Sequence, residues 1–454
     1  MAAGTLAAAV AAAAVITTKV RNFFSGGVDI PGMKPTFPFG NVGVLSKGVL
    51  EGMEVLCKEH ADKKTGMASF WLFSEQFLSC LHHEDVREVL LSSSYRRPIK
   101  SIAAHITRFL GTSALVNLNN DEWKHHRRVM GKAFHYDHLK AMVGDMCFAS
   151  ERFIRTLEKT PAGEAMDVYQ VMKFVTMDVI GLTAFGVDFE CGKDVSGGMP
   201  EVPAAFEELL EQMTKRTYTT NPLMQNYSLP TAMNRKHKRL AAVLRTKVDG
   251  VIEHRLKMRE KMREEKTKGE AIEEEHNDFL KHMIPEDASE SAFTPKELSD
   301  ELLVMLFGGF DTTSIFLAYC LHLLAIHPEV EEKVRAEADA VFEQTRDGPL
   351  TYEDVTRLKY CNMVMKETLR LFPPAPLTTR TTTKDLVLGG YKVPAGSQTW
   401  LPISLIHRDT YNWGADAEEF KPERWDTEGE LDGIKKQDIP QFAWIPFSGG
   451  PRNC

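Results

Sequence analysis

The chain has 454 residues, 43% of them hydrophobic and 26% charged, with a net charge of −8 at pH 7. This composition excludes a mainly disordered protein and gives no basic bias toward nucleic acid, while the length leaves room for a large buried cofactor. Seven cysteines (57, 80, 147, 191, 320, 361 and 454) include no Cys-x-x-Cys pair, which argues against a zinc site or disulfide framework and for reduced thiols in a cytosol-facing compartment.

From Ala2 to Thr18 the chain is uncharged and rich in Ala and Val, and Lys19 and Arg21 follow. Residues 1–30 therefore read as an apolar membrane anchor and the start of a hinge, with the positive charges placing the rest of the protein on the cytosolic side. A cleaved signal or transit peptide, the latter pointing to a plastid, is the competing reading, and an Ala-rich tail is the plain one. Pro31-Gly32, Pro35, Pro38, Gly40 and Asn41 form a run of breakers that reads as a stiff hinge before a single large domain. Helical periodicity is expected over 121–133, 137–158, 167–185, 230–268, 295–326, 328–345 and 359–371, and strands only near 67–80 and 385–402. The fold class is mainly α with a small β region. The charged stretch 253–276 reads as an exposed helix end followed by a solvated loop.

Four constellations carry chemistry. Trp123 and Arg127 stand one helical turn apart on a basic segment with His125 and His126, and this face suits an acidic group, with the indole N–H as a further donor. The adjacent histidines point apart, with no carboxylate or cysteine spaced to complete a metal site. Gly308, Gly309, Phe310, Asp311 and Thr312 interrupt the apolar run 302–324. Two mid-helix glycines cost about 1 kcal/mol each relative to Ala, so a flat ligand against that face would compensate them, and an adjacent acid and alcohol can hold a water and pass on protons. A bent core helix with a hydrogen-bonded Asp and Thr is the alternative. Glu367 and Arg370 share a helix face ahead of Pro373-Pro374, and their apolar flanks distinguish them from the same spacing at Glu260/Arg263, Glu332/Arg335 and Glu343/Arg346. A buried pair needs further partners, and Arg424 is the natural third member. Finally, Phe447-Ser448-Gly449-Gly450-Pro451-Arg452-Asn453-Cys454 is a glycine-rich turn that could offer one thiolate to a haem iron, with the glycines letting backbone approach a macrocycle and Arg452 meeting an acidic substituent. An ordinary turn with a spare cysteine is the alternative.

In this order the motifs resemble the cytochrome P450 family of haem-thiolate monooxygenases, from Pro31 to Cys454, and Asp178 to Asp188, His407-Arg408-Asp409 and Trp413-Gly414 match as well. The resemblance implies a cytochrome P450 fold over 31–454 with haem b (iron protoporphyrin IX) as cofactor and Cys454 as its iron ligand. It implies that Trp123, Arg127 and Arg452 bind the haem propionates, that Gly308, Gly309, Phe447 and Gly450 line the cofactor, and that Asp311 and Thr312 serve oxygen activation. Glu367, Arg370 and Arg424 are then structural. An NADPH-dependent reductase, an apolar small-molecule substrate and the endoplasmic reticulum membrane, but no nucleic acid, are the implied partners and location. Family members continue past the cysteine with a glycine, a long helix and a β element, all absent from this sequence, so an inactive truncated form or gene fragment is a second expectation. A peroxide-rearranging enzyme is a third, against which Thr312 counts.

Overall fold

The computed structural model describes residues 24–454 apart from 46–47, 94, 97–99, 160, 162, 164, 194–198, 218–221, 269–275, 285–292, 346–349, 427–428 and 430–437, and it does not describe the side chains of 100–104, 217, 222 and 225. Most of the expected anchor, residues 1–23, therefore lies outside the described residues, as do Arg346 and most of the loop after Lys268. The chain divides into two compact units, the first formed by Met1–Arg97, Leu369–Lys421 and Thr427–Cys454, the second by Pro98–Thr368 and Pro422–Asp426.

The first unit is built on the β region. Met67–Leu72 and Glu75–Cys80 form an antiparallel hairpin, Gln398–Leu401 runs parallel to the second of these strands, and Thr378–Thr381 closes the sheet antiparallel to it. Leu386–Leu388 and Tyr391–Val393 form a separate antiparallel ribbon. Phe70, Phe77 and Trp400 meet with ring centroids 5.3–5.7 Å apart on one face of the sheet. Such cross-strand aromatic contacts fix register as well as burying area. The strand Thr378–Thr381 escapes the sequence reading because Thr-Thr-Arg-Thr shows no apolar alternation.

The proline-rich segment, expected to be a stiff hinge, is bonded along the sheet. Val28 exchanges two hydrogen bonds with the Gln76 side chain, at 2.6 and 2.8 Å, and Asn41 receives the Trp71 amide at 2.8 Å while donating its own amide to the Trp71 carbonyl at 2.6 Å. Gly32 lies so close to the sheet that a Cβ there would come within 1.8 Å of the Ser69 carbonyl oxygen. The breakers shape this segment to the sheet edge, and the backbone groups that they leave without helical partners find them there.

The second unit is helical. Its long helix Pro295–Ile326 starts at a capping box, where Thr294 receives the Glu297 amide and Glu297 receives the Thr294 amide. Its middle packs on the helix Val168–Ile180, with Phe310, Met177 and Phe206 in the shared core. The Thr176 hydroxyl donates to the Phe310 carbonyl at 3.2 Å, tying the two helices together. The other expected helices are present as Asn120–Ala133, Tyr136–Ala141 with Val143–Leu157, Ala232–Lys268, Pro328–Gln344 and Lys359–Leu371. Helices His83–Ser92, Lys100–Leu110, Glu201–Thr217 and Phe279–Met283 add to those expected.

The charged stretch from 253 is only partly a solvated face. Arg255 and Arg259 are buried: Arg255 holds Asp278 in a two-pronged ion pair, and Arg259 donates to the carbonyls of Lys281 and Ile284. The long arginine stems supply the apolar surface that the sequence pattern lacks.

Candidate active site

Cys454 ends a tight turn of the first unit. Its amide donates to the Phe447 carbonyl at 3.0 Å, and the Asn453 amide to that of Gly450 at 3.2 Å. Upstream, the Ser448 amide donates to the Ile445 carbonyl at 2.8 Å, and the Ile445 amide to Nε2 of the fully buried His407 at 2.8 Å. Burial pushes His407 down to about 3, so it is a neutral ring whose Nδ1–H faces the Arg370 carbonyl at 3.1 Å. Gly450 has a φ of +68°, and a Cβ on it would lie 2.2 Å from the Leu90 carbonyl oxygen. Its glycine is thus required by close backbone packing on the helix His83–Ser92, whether or not a macrocycle lies near. Phe447 and Cys454 are exposed, and Arg452 is buried.

The same unit brings two further arginines to this turn. Arg380, completely buried, donates to Ser448 Oγ at 3.0 Å and to the Gly449 carbonyl at 3.1 Å through Nη2, and to the Thr379 carbonyl at 2.8 Å through Nη1. Its Nε has no hydrogen-bond partner among the described residues. Burial, together with the charges of Arg96 and Arg452, lowers Arg380 to about 9, and Cys454 opposes that shift. Arg96 is also lowered by burial, again opposed by Cys454. Cys454 therefore shares the charge environment of Arg96 and Arg380, and Arg452 stands two residues before it in the same turn. Sequence reasoning found Arg452 and missed Arg96 and Arg380. An arginine inside the strand Thr378–Thr381, with β-branched neighbours on both sides, is the signal that could have marked the second.

In the second unit the glycine pair divides its roles. A Cβ on Gly309 would stand 2.5 Å from Ile180 Cδ1, so this glycine permits the close crossing of two helices. Gly308 meets nothing within 4 Å and is exposed, leaving an open patch on an otherwise apolar helix. Thr312 lies on this patch, and its hydroxyl donates to the Gly308 carbonyl at 2.6 Å. Asp311 faces elsewhere: its Oδ1 accepts from the Tyr169 hydroxyl at 3.2 Å. Burial holds the Asp311 carboxyl above its ordinary range, with Tyr169 and Lys173 acting in the opposite sense. Lys173 sits 4.1 Å over the Tyr169 ring and pairs with Glu207, completing a polar chain that leaves from Asp311.

Trp123 is buried and Arg127 half-buried, one turn apart on the helix Asn120–Ala133. The expected absence of a carboxylate near the histidines is corrected: His126 is buried, with Nδ1 2.7 Å from Glu301 Oε1 and Nε2 3.7 Å from Glu297. These acids come from a distant stretch, which spacing along the chain could not reveal. No group of three metal-ligating side chains occurs among the described residues. The structure thus gathers Phe447, Gly450, Arg452 and Cys454 in one turn, Gly308, Gly309, Asp311 and Thr312 on one helix, and Trp123 with Arg127 on another.

A cytochrome P450 family profile matches residues 30–454. The chain belongs to the cytochrome P450 family. Similar proteins include cytochrome P450 CYP72A616 of Paris polyphylla, 31% identical over 395 residues, covering 85% of this chain and 71% of that one. The 11-oxo-beta-amyrin 30-oxidase of Glycyrrhiza uralensis is 32% identical over 349 residues, covering 75% of this chain and 62% of that one. Cytochrome P450 734A6 of Oryza sativa subsp. japonica is 32% identical over 422 residues, covering 88% and 73%. Several of these P450 relatives, the Glycyrrhiza enzyme among them, are matched over less than two thirds of their length. The family is one of haem-thiolate monooxygenases, and the side chains here fit its cofactor. A thiol shares the charge environment of Arg96 and Arg380, with Arg452 in the same turn, as a group with acidic side chains would require, and the open patch at Gly308 suits a flat apolar surface.

Proposed function

We propose that this protein is a monooxygenase that inserts one oxygen atom from O2 into an apolar organic substrate, using haem b and electrons from an NADPH-dependent reductase. The observation that carries the reading is Cys454 in its turn beside Arg96, Arg380 and Arg452. Haem bound through a thiolate supplies the oxygen activation. Cys454 would be the iron ligand, and the three arginines, with Trp123 and Arg127, would hold the acidic side chains. Phe447, Gly450, Gly308 and Gly309 would border the macrocycle. Residues 31–454 would form the catalytic domain, with residues 1–30 anchoring it to the endoplasmic reticulum membrane and the domain facing the cytosol. The relative named as an 11-oxo-beta-amyrin 30-oxidase supports oxidation of an organic substrate.

Asp311 and Thr312 would handle protons. Burial raises the proton affinity of Asp311, bringing the carboxyl nearer to the range in which it can both take up and release a proton. Thr312 uses its hydroxyl hydrogen on the Gly308 carbonyl, so its oxygen lone pairs remain available to accept from a water or substrate hydroxyl.

In the reduced protein, carbon monoxide should give the red-shifted Soret band of thiolate-ligated haem, and Cys454→His should abolish it. A band that survives this change would make another residue the ligand. Thr312→Ala should keep the band but divert electrons to peroxide and water, measured as NADPH consumed per product formed. Unchanged coupling would remove Thr312 from the proton path.

A further inference from the structure

A second cluster of basic side chains, all buried but the exposed Arg108, lies in the second unit, and nothing in the chemistry above uses it. Tyr227 is its centre. Arg216 stacks 4.1 Å from the Tyr227 ring centroid and Arg108 4.8 Å from it, the Tyr227 hydroxyl lies 3.0 Å from His105 Nδ1, and the His237 ring meets Tyr227 edge-on at 5.1 Å. His105, Arg216, Tyr227 and His237 are each more than nine-tenths buried. The hydrogen bonds of Arg216 go to the Met224 carbonyl at 2.6 Å and to Asn234 Oδ1 at 2.7 Å, both neutral.

Two features mark the cluster as incomplete. His105 Nε2, His237 Nδ1 and Arg216 Nε are buried with no hydrogen-bond partner among the described residues. Burying a polar group without a partner is costly, so such groups are ordinarily satisfied. Moreover, no carboxylate among the described residues pairs with Arg108 or Arg216, and the charges acting on both histidines are cationic. His237 is held down to about 4, by burial first and then by Arg216, Arg108 and His105. A cluster that holds the buried Arg216 and the exposed Arg108 with no carboxylate pairing either among the described residues, beside two neutral imidazoles with an unused ring nitrogen each, suits an anion from outside.

An aromatic path joins this cluster to the open patch at Gly308. Phe109, one turn after His105 on the helix Lys100–Leu110, lies 5.0 Å from Phe206 and 6.2 Å from Phe307, and Phe206 lies 5.7 Å from Phe310. Phe307 and Phe310 flank the glycine pair. Phe206 and Arg216 share the helix Glu201–Thr217, and ten residues at 1.5 Å each separate them by about 15 Å. We propose that Arg216, His105, His237 and Tyr227 bind the carboxylate end of an amphipathic substrate whose apolar body lies along Phe109, Phe206 and Phe307 toward Gly308. This rests on the monooxygenase reading and narrows its substrate class to apolar acids.

The test is calorimetric titration of the haem-containing protein with decanoate, decanol, decylamine and inorganic phosphate, with the carbon monoxide band recorded on each sample. Decanoate should bind at least tenfold more tightly than decanol or decylamine, and phosphate should bind far more weakly than decanoate. Arg216→Met should bring decanoate to within about threefold of decanol, and His237→Phe, the milder change, should reduce the preference in the same direction. Equal binding of the acid and the alcohol, phosphate binding as strong as decanoate, or a preference that survives both substitutions overturns the proposal. If one variant loses the carbon monoxide band, the other and the unsubstituted protein decide. Loss of the band in the unsubstituted protein counts against the haem-thiolate reading instead, because calorimetry reads the acid preference without it.

Discussion

The guanidinium of Arg370 ends on three carbonyl oxygens, those of His407 at 2.8 Å, Ala417 at 2.5 Å and Glu419 at 2.9 Å, and it stacks 4.9 Å from Trp413. That of Arg380, equally buried, leaves Nε without a partner among the described residues and has Arg96, Arg452 and Cys454 as charges acting on it. Arg424 resembles the first case: its Nε lies 3.4 Å from Glu367 Oε1, and Trp425 donates to Glu367 Oε2 at 2.9 Å. A buried arginine met by carboxylate, carbonyls and an aromatic face is complete in itself and serves the fold. One that is crowded by its own kind and still holds an unused donor is poised for an anion. The contrast separates the residues that build this chain from those that would hold its cofactor, using burial that is nearly the same in both.

The largest expected effect falls on the complete set. Glu367→Ala leaves Arg424 buried without its carboxylate and should cost about 3–5 kcal/mol in urea unfolding, with haem lost as a consequence. Glu332→Ala should stay within about 0.5 kcal/mol, because Glu332 is exposed and Arg335 pairs with Glu331 instead. Equal effects at the two positions would erase the distinction between the buried carboxylate and the exposed one.

Acid should then weaken the same framework through His407. Its folded value of about 3 lies below the ordinary histidine value of 6.5, so the unfolded chain takes up a proton between these limits and the folded one does not. The contribution is fully present above pH 6.5 and falls by about 1.4 kcal/mol per unit below it, roughly 2 kcal/mol by pH 5. His407→Gln should flatten this part of a stability–pH curve, and an unchanged slope would show that other groups carry the acid response.

A smaller effect is expected from Arg380→Met measured without haem. Removing one of three like charges offsets the hydrogen bonds lost to Ser448 and Gly449, so unfolding free energy should change by less than about 1 kcal/mol. A loss as large as that of Glu367→Ala would make Arg380 a framework residue and break the comparison.

How far the sequence could be read follows from the range of each signal. Periodicity revealed the long helices, because Pro295–Ile326 and Ala232–Lys268 repeat their pattern over many turns. It missed Thr378–Thr381 and the helix Lys100–Leu110, which are short and whose residues are shared with functional clusters. The turn at Cys454 was legible because its residues are contiguous. The cations Arg96 and Arg380 were not, since they reach it from positions hundreds of residues earlier or on a separate strand. The glycines carry more than one reason: Gly309 and Gly450 also permit close approach to Ile180 and Leu90, and of the three Gly308 alone opens onto space. A glycine in sequence announces a close approach without naming what approaches.

The most direct test of the contrast between the two arginine sets is haem affinity measured as a cycle, with haem and its dimethyl ester each titrated into the unsubstituted protein and Arg380→Met. If the arginines beside Cys454 await the cofactor's acidic side chains, esterification should weaken binding by tenfold or more in the unsubstituted protein and by much less in the variant. Equal losses in both proteins would show that Arg380 does not meet those groups, and the assignment of the incomplete set to the cofactor would fail.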